Sequence, residues 1–288
     1  MSAVRRKVPA LGDVGIGWRG EIAGVIADLR LGFSEVIAES IPVRRGKARP
    51  GPALAEVVSG GVPVVPHGVA LSLGGAEPVQ PTRVRHLAAC AEALGAPIVS
   101  EHVAFVRAGG IDAGHLLPVP RTREALDALD ANIRRTRDGL PVPLAVENIA
   151  SFVEWPESEF TESEFLTELV ERTGVLLVLD VANVYANACN RGRDPQQELA
   201  RLPVEQVAYS HVAGGHEDGG FYHDTHTATT SPTVLSMVTS LRERVDTPFM
   251  LERDGQFPPA AELFDELDAI AAAAGTAPIT TRAREAWI

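Results

Sequence analysis

The chain has 288 residues, is 45% hydrophobic and 22% charged, and carries a formal net charge of −12. That apolar share excludes intrinsic disorder and fibrous architectures, and the length suits two domains or one α/β barrel of about 250 residues. The acidic balance argues against nucleic acid or an anionic membrane as the main partner, since both reward basic surfaces.

The chain opens on Met1-Ser-Ala-Val-Arg-Arg-Lys7, which is basic but lacks the apolar run of a signal peptide. No segment approaches the ~20 apolar residues of a membrane span, so a soluble, cytoplasmic protein is expected. Strands are expected near 12–17, 34–39, 62–67, 97–102, 142–147, 175–180, 205–211 and 247–252. Helices are expected between them, over 20–31, 52–60, 80–95, 122–139, 161–173, 194–202, 232–244 and 258–274. Thr161-Glu-Ser-Glu164 has capping-box spacing, and Gly95 and Gly174 stand where helix stops belong. The strands are rich in Val, Ile and Leu and often lack clean alternation, as buried parallel strands do. Eight such units without a long polar linker predict one (β/α)8 TIM barrel over 1–288, its core at about 12–275, rather than an open doubly wound sheet. Gly15-Ile-Gly17 is too incomplete for a dinucleotide site. Cys90 and Cys189 form neither a disulfide framework nor a CxxC pair.

The ends of the predicted strands carry the chemistry. Strand two ends in Glu39, three in His67, four in Glu101-His102, five in Glu147-Asn148, six in Asp180, seven in His211 and eight in Glu252. In a barrel these ends open together on the C-terminal face, where active sites are built. The loop after strand seven adds His216, His223, Asp224 and His226. Carboxylates crowded together repel, and burying them is costly without positive charge nearby. Strand ends offer few bases, Arg253 being the clearest, so metal ions are the better compensation. Mixed His/Asp/Glu ligation without thiolates suits iron, manganese or zinc, and the ligand total suits two or three ions sharing carboxylates.

Taken singly, each residue has a plainer role. His67 alone reads as a hydrogen-bonded structural residue, Glu39 as the partner of an arginine from Arg44-Arg45-Gly-Lys47, and His223-Asp-Thr-His226 as a solvated loop. His86 and His115 read as helix-surface and loop residues without a role. Cys189, in Asn187-Ala-Cys-Asn190, reads as a small thiol rather than a nucleophile. Gly68 and Leu73-Gly-Gly75 read as tight turns over the site. The recurrence of polar residues at equivalent places in successive units is what favours metal.

Several segments then acquire a joint meaning: Pro66-His-Gly-Val-Ala-Leu-Ser-Leu-Gly-Gly-Ala-Glu77, Ser100-Glu-His102, Leu116-Leu-Pro-Val-Pro120, Val146-Glu-Asn148, Leu179-Asp-Val-Ala-Asn-Val-Tyr185, His211-Val-Ala-Gly-Gly-His216, Asp224-Thr-His226 and Leu251-Glu-Arg-Asp254. In their order and spacing the chain resembles, from about Gly15 to its last helix, the multinuclear non-heme iron-dependent oxidative enzymes. Founding members of that family act in methanobactin and related peptide natural-product pathways. The resemblance implies a (β/α)8 barrel, in agreement with the unit count. It implies an iron pair on His67, His102, Glu147, Asp180, His211 and Glu252, with Glu147 as bridge and Glu147, Asp180 and His211 at the catalytic centre. Asn183, Asp224 and His226 match positions that complete a third site in some members. Two features differ: Asp180-Val-Ala-Asn183 stands where the family usually shows adjacent asparagines, and a glycine is added before His216.

By the same resemblance, mixed-valent Fe(II)/Fe(III) and O2 as co-substrate would oxidise a residue, usually cysteine, of a ribosomally made precursor peptide. A separate leader-peptide-binding partner protein is expected, because the barrel uses almost the whole chain. The rival readings are a divalent-metal barrel of the sugar-isomerase or abasic-site endonuclease type, and a non-catalytic metal-storage or docking protein.

Overall fold

The computed structural model describes residues 11–280. The basic opening of the chain and the expected terminal extensions lie outside the described residues. Eight parallel strands close a barrel, each hydrogen-bonded to the next in chain order and the last to the first. They are β1 (Val14–Gly17), β2 (Phe33–Ile37), β3 (Val64–His67), β4 (Val99–His102), β5 (Leu144–Glu147), β6 (Leu176–Asp180), β7 (Val207–Val212) and β8 (Phe249–Leu251). All eight correspond to strands expected from the sequence, and closure excludes the open sheet.

Strand side chains alternate in direction, and this period of two builds the barrel interior in layers. Phe33, Val65, Ile98, Ala145, Leu176, Val178, Tyr209 and Met250 form an inner apolar cluster. Counting on by two from these residues gives Glu35, His67, Ser100, Glu147, Asp180, His211 and Glu252. The intervening residues, Val36, Val64, Val99, Val146, Leu177 and Leu179 among them, pack outward into the larger core beneath the helices. Register then sets heights: His102 stands beside Glu147 across β4–β5, and Asp180 beside His211 across β6–β7.

The helices Pro52–Ser59, Pro81–Leu94, Arg123–Asp138, Glu162–Thr173, Pro195–Ala200, Pro232–Arg244 and Ala260–Ala273 follow expectation. Thr161 and Glu164 form the capping box, and Gly95 and Gly174 end their helices in the left-handed conformation. The helix expected over 20–31 is shorter, a 3-10 turn Gly20–Ile22 and one α turn Ala23–Ile26. Two glycines in that stretch weaken helix propensity. The helix Val181–Asn190 was not expected. It starts directly at the end of β6, with Asp180 as its N-cap.

Three antiparallel hairpins were also unexpected: 43–48, 104–118 and 214–228. Each turns through two residues with positive φ, Arg45-Gly46, Gly109-Gly110 and Gly219-Gly220. Such paired left-handed residues match the right-handed twist of the ribbon, and Gly-Gly supplies them without steric cost.

Arg253, just beyond β8, is bound to Glu266 of the last helix at 2.7 Å, with both residues 3% exposed. Its guanidinium is therefore withdrawn from the barrel mouth. Removing one partner of a buried pair leaves an uncompensated charge, which costs about 3–5 kcal/mol. Glu266→Leu should lose stability of that order, read from the urea midpoint, whereas Glu266→Leu with Arg253→Met should recover most of it.

Candidate metal centre

The expected residues His67, His102, Glu147, Asp180, His211, Asp224, His226 and Glu252 all meet at the C-terminal mouth, with Asn183 on the wall of the same cleft. They fall into overlapping groups: His67, His102 and Glu147; Glu147, Asp180, His211 and Glu252; and Asp180, Asp224 and His226. Within each group one ligand atom per residue lies within 4.8 Å of the others. The Glu147 carboxylate joins the first two, with Oε2 3.4 Å from His67 Nε2 and Oε1 3.3 Å from His211 Nδ1. Asp180 joins the second and third.

Each imidazole is anchored by the nitrogen that faces away from the cluster. His67 Nδ1 lies 2.7 Å from Ser100 Oγ, and His102 Nδ1 lies 3.1 Å from the Gly68 carbonyl. His211 Nε2 lies 3.1 Å from Glu35 Oε2, which also accepts from the Tyr209 hydroxyl. Anchoring one ring nitrogen fixes which nitrogen remains for a metal. Asp180 is divided in the same way. Its Oδ1 accepts from Asn183 N–H at 2.7 Å as the helix cap, while Oδ2 has no partner. Asn148, after β5, accepts from Asp180 N–H at 2.9 Å and donates to its carbonyl at 3.1 Å.

The hairpin 214–228 delivers Asp224 and His226. Its Tyr222 stacks edge-on against Tyr185 at 4.9 Å and exchanges two main-chain hydrogen bonds with the Asn190 amide. The hairpin is thus docked on the helix that Asp180 caps. His216 and His223 pair across the hairpin as stacked rings 5.7 Å apart and belong to none of the metal-competent groups.

Other expectations change. Glu39 follows β2 in a short 3-10 turn, exposed, and its carboxylate accepts from Val69 N–H at 3.3 Å rather than pairing with an arginine. The carboxylate that β2 contributes is Glu35, which the sequence reading missed. A charged residue two positions after the buried Phe33 was the available signal. His115, left without a role, lines the mouth from the hairpin 104–118. Leu73-Gly74 form the expected tight turn, closed by Gly75 N–H to the Ser72 carbonyl at 3.0 Å, and Gly68 and Gly74 also serve close approach. A Cβ on Gly68 would come within 2.8 Å of Glu101 Oε2, and one on Gly74 within 2.1 Å of Val119.

Negative charge dominates the mouth. Burial raises the Asp180 carboxyl well above its usual range, and the neighbouring Asp224 and Glu147 raise it further. Burial also works against Glu147, but His211, His102 and His67 hold it down at about 2. Burial disfavours protonated His102, yet Glu147 and Glu101 raise it from 6.5 to about 9. His211 is raised well above its usual value by Glu35, Glu147 and Glu252 against the burial penalty. Four buried atoms here have no hydrogen-bond partner: Glu147 Oε2, Asp180 Oδ2, His211 Nδ1 and Asp224 Oδ1. Buried polar atoms are nearly always satisfied, so this donor set fits cations shared between carboxylates. A fourth group, His226, Glu252 and Asp254, already holds a positive charge, because Arg19 pairs with Asp254 and lies 3.7 Å from Glu252 Oε1.

His67, His102, Glu147, Asp224, His226 and Glu252 line a cleft of about 230 Å3 that opens to solvent. Among the described residues, no helix is long and apolar enough to cross a membrane.

Residues 13–275 match the family described as RiPP precursor modification enzyme MbnB/TglH/ChrH. A UPF0276 protein of Streptomyces avermitilis is 50% identical over 89% of this chain, which spans about half, 54%, of that relative's length. A UPF0276 protein of Rhizorhabdus wittichii is 36% identical, the match covering 88% of this chain and 91% of that protein. Endonuclease IV from Thermus thermophilus superposes with a TM-score of 0.57 at 19% identity, over 90% of this chain and 99% of that one. D-allulose 3-epimerase from Methylomonas sp. gives 0.57 at 12% identity, over 94% and 96%. At such identities these two structures share the fold alone.

The sign of the pH dependence follows from His102. A group raised in the folded state adds stability that is complete below its unfolded value and lost as pH rises through the folded one. Between pH 6.5 and about 9 the metal-free protein should therefore lose stability. Urea midpoints at both ends of that window check it, and an unchanged or rising midpoint contradicts it.

Proposed function

This chain belongs to the MbnB/TglH/ChrH family of RiPP precursor modification enzymes, and we propose that it is an iron- and O2-dependent oxidase of a precursor-peptide residue, cysteine before others. The observation that carries the reading is the crowding of buried Glu147, Asp180, His211 and Asp224 atoms that lack hydrogen-bond partners, with Glu147 and Asp224 lining the solvent-open cleft. In this reading His67, His102 and Glu147 hold one iron, and Glu147, Asp180, His211 and Glu252 hold a second. Asp180, Asp224 and His226, with Asn183 beside them, hold a third. Bound there, mixed-valent irons supply Lewis acidity toward a thiol and one-electron exchange with O2.

The protein's own residues do the rest. Glu147, with Oε2 on the His67 side and Oε1 on the His211 side, would be shared by the first two ions, and Asp180 would be shared by the second and third. Glu35 keeps His211 turned so that Nδ1 faces the carboxylates. Ser100 and the Gly68 carbonyl set the rings of His67 and His102 in the same way. The cleft, at about 230 Å3, has the volume to take in a single side chain. Phe152, two residues after the cleft-lining Ala150, and Phe221, in the hairpin that carries Asp224, are both exposed and in edge contact at 5.7 Å, and offer a peptide apolar surface. Leader recognition is assigned to a separate partner protein, and the barrel core to about 12–275.

Anaerobically prepared protein should contain two or more irons, partly ferrous by Mössbauer spectroscopy, and should consume O2 when given a cognate precursor peptide and its partner. Glu147→Gln should lose iron from both shared positions and lower turnover more than about 100-fold, the upper range for losing even an indirect metal contact. Tightly bound zinc with oxygen-independent hydrolysis or isomerisation would overturn the reading in favour of a hydrolase or isomerase.

A further inference from the structure

His226 is held in an unusual way. It lies inside a hairpin strand yet has φ 54°, a left-handed conformation that few residues other than glycine adopt. Asp254, in the segment beyond β8, secures it at two points. Its N–H donates to the His226 carbonyl at 3.1 Å, and its Oδ2 lies 2.9 Å from His226 Nδ1. Asp254 is held in turn by the Arg19 guanidinium, which donates also to the Trp18 carbonyl at 3.0 Å. His226 Nε2 then points the other way, 2.7 Å from Asp224 Oδ2.

We infer that Asp254, fixed by Arg19, is a positioning residue for the third ion: it takes the Nδ1 hydrogen of His226 and leaves Nε2 for an ion shared with Asp180 and Asp224. The inference rests on the metal reading above. Without Asp254, Nδ1 of His226 has a second carboxylate within reach, Glu252 Oε2 at 3.6 Å. A ring free to answer Glu252 no longer presents Nε2 to the hairpin side. Arg19 keeps Asp254 from turning away and supplies the positive charge of the His226, Glu252 and Asp254 group. Its guanidinium does not deprotonate, so that charge is permanent.

Equilibrium dialysis of metal-free protein against graded anaerobic Fe(II), with bound iron counted, tests this apart from turnover. Wild type should take up three ions. In Asp254→Ala the dissociation constant of one ion should rise about 10–100-fold, with the other two unchanged. Asp254→Asn, which keeps an acceptor oxygen for Nδ1–H, should recover most of the loss, and Arg19→Met should show part of it. Asp254 has a side chain 46% exposed, so its variants should melt with the wild type. An Asp254→Ala isotherm that overlays wild type, or one that weakens every ion equally, overturns the inference, as does a wild type that binds two ions. A wild type that binds no Fe(II) overturns the metal reading itself along with it.

Discussion

Buried negative charge at the barrel mouth is the constraint on which the rest of this structure depends. Glu35, Glu147, Asp180 and Glu252 are all at most 7% exposed, and the permanent cations stand at the edge of the cluster or outside it, Arg19 at 3.7 Å from Glu252 Oε1. Arg253 is tied to Glu266, and Arg19 stands at the rim on Asp254. What remains inside is imidazole. The opposed shifts of two fully buried carboxyls follow from this distribution. Glu147 has three imidazoles around it and is held down, while Asp180 faces Asp224 and Glu147 and is driven up. A cluster neutralised chiefly by protonated histidines, with Arg19 reaching only its Glu252 edge, loses most of its compensation as pH rises. Ions shared between the carboxylates would hold it together without that dependence.

A second regularity follows at the level of single atoms. Each of the four imidazoles, and Asp180 with them, gives one atom to the protein scaffold and presents another to the cluster. His67 gives Nδ1 to Ser100, His211 gives Nε2 to Glu35, His226 gives Nδ1 to Asp254, and Asp180 gives Oδ1 to a helix N-terminus. The second atom is thereby aimed before anything binds. Such preorganisation is what allows a site to distinguish ions by geometry, since intrinsic affinity follows a fixed order among the divalent metals. His67, His211 and Asp180 themselves sit on barrel strands, which a packed interior holds rigid. The exception is the side of Asp224 and His226, carried by a hairpin that the Tyr185–Tyr222 contact fastens to a helix.

Much of this was legible in the chain. Val, Ile and Leu runs that stop at His67, His102, Glu147, Asp180 and Glu252 read directly as barrel strands ending at one face. Glu35 and Glu39 show where that reading slips. Both have the inward parity of β2, but the strand stops at Ile37, so the earlier glutamate enters the site and the later one caps nothing within it. The helix Val181–Asn190 was hidden because its N-cap is also a strand end, and Asp-Val-Ala-Asn reads equally well as a loop. Gly109-Gly110 and Gly219-Gly220 carried the hairpin signal, but the strand Ile111–Pro118 after the first pair and Gly214–Asp218 before the second are largely exposed and carry no clear pattern.

The sequence by itself determined the α/β barrel, the face on which chemistry collects and the residue types gathered there. These depend on local periodicity, and period-two burial survives in a single chain without knowledge of neighbours. Tertiary structure alone decided which atom of each residue faces the cluster. It also decided that Arg253 is absent from it, that Glu35 stands behind His211, and that Arg19 reaches Asp254 across 235 positions of sequence. Such pairings follow from the register and closure of the barrel, which bring distant residues together and leave no periodic trace in the sequence.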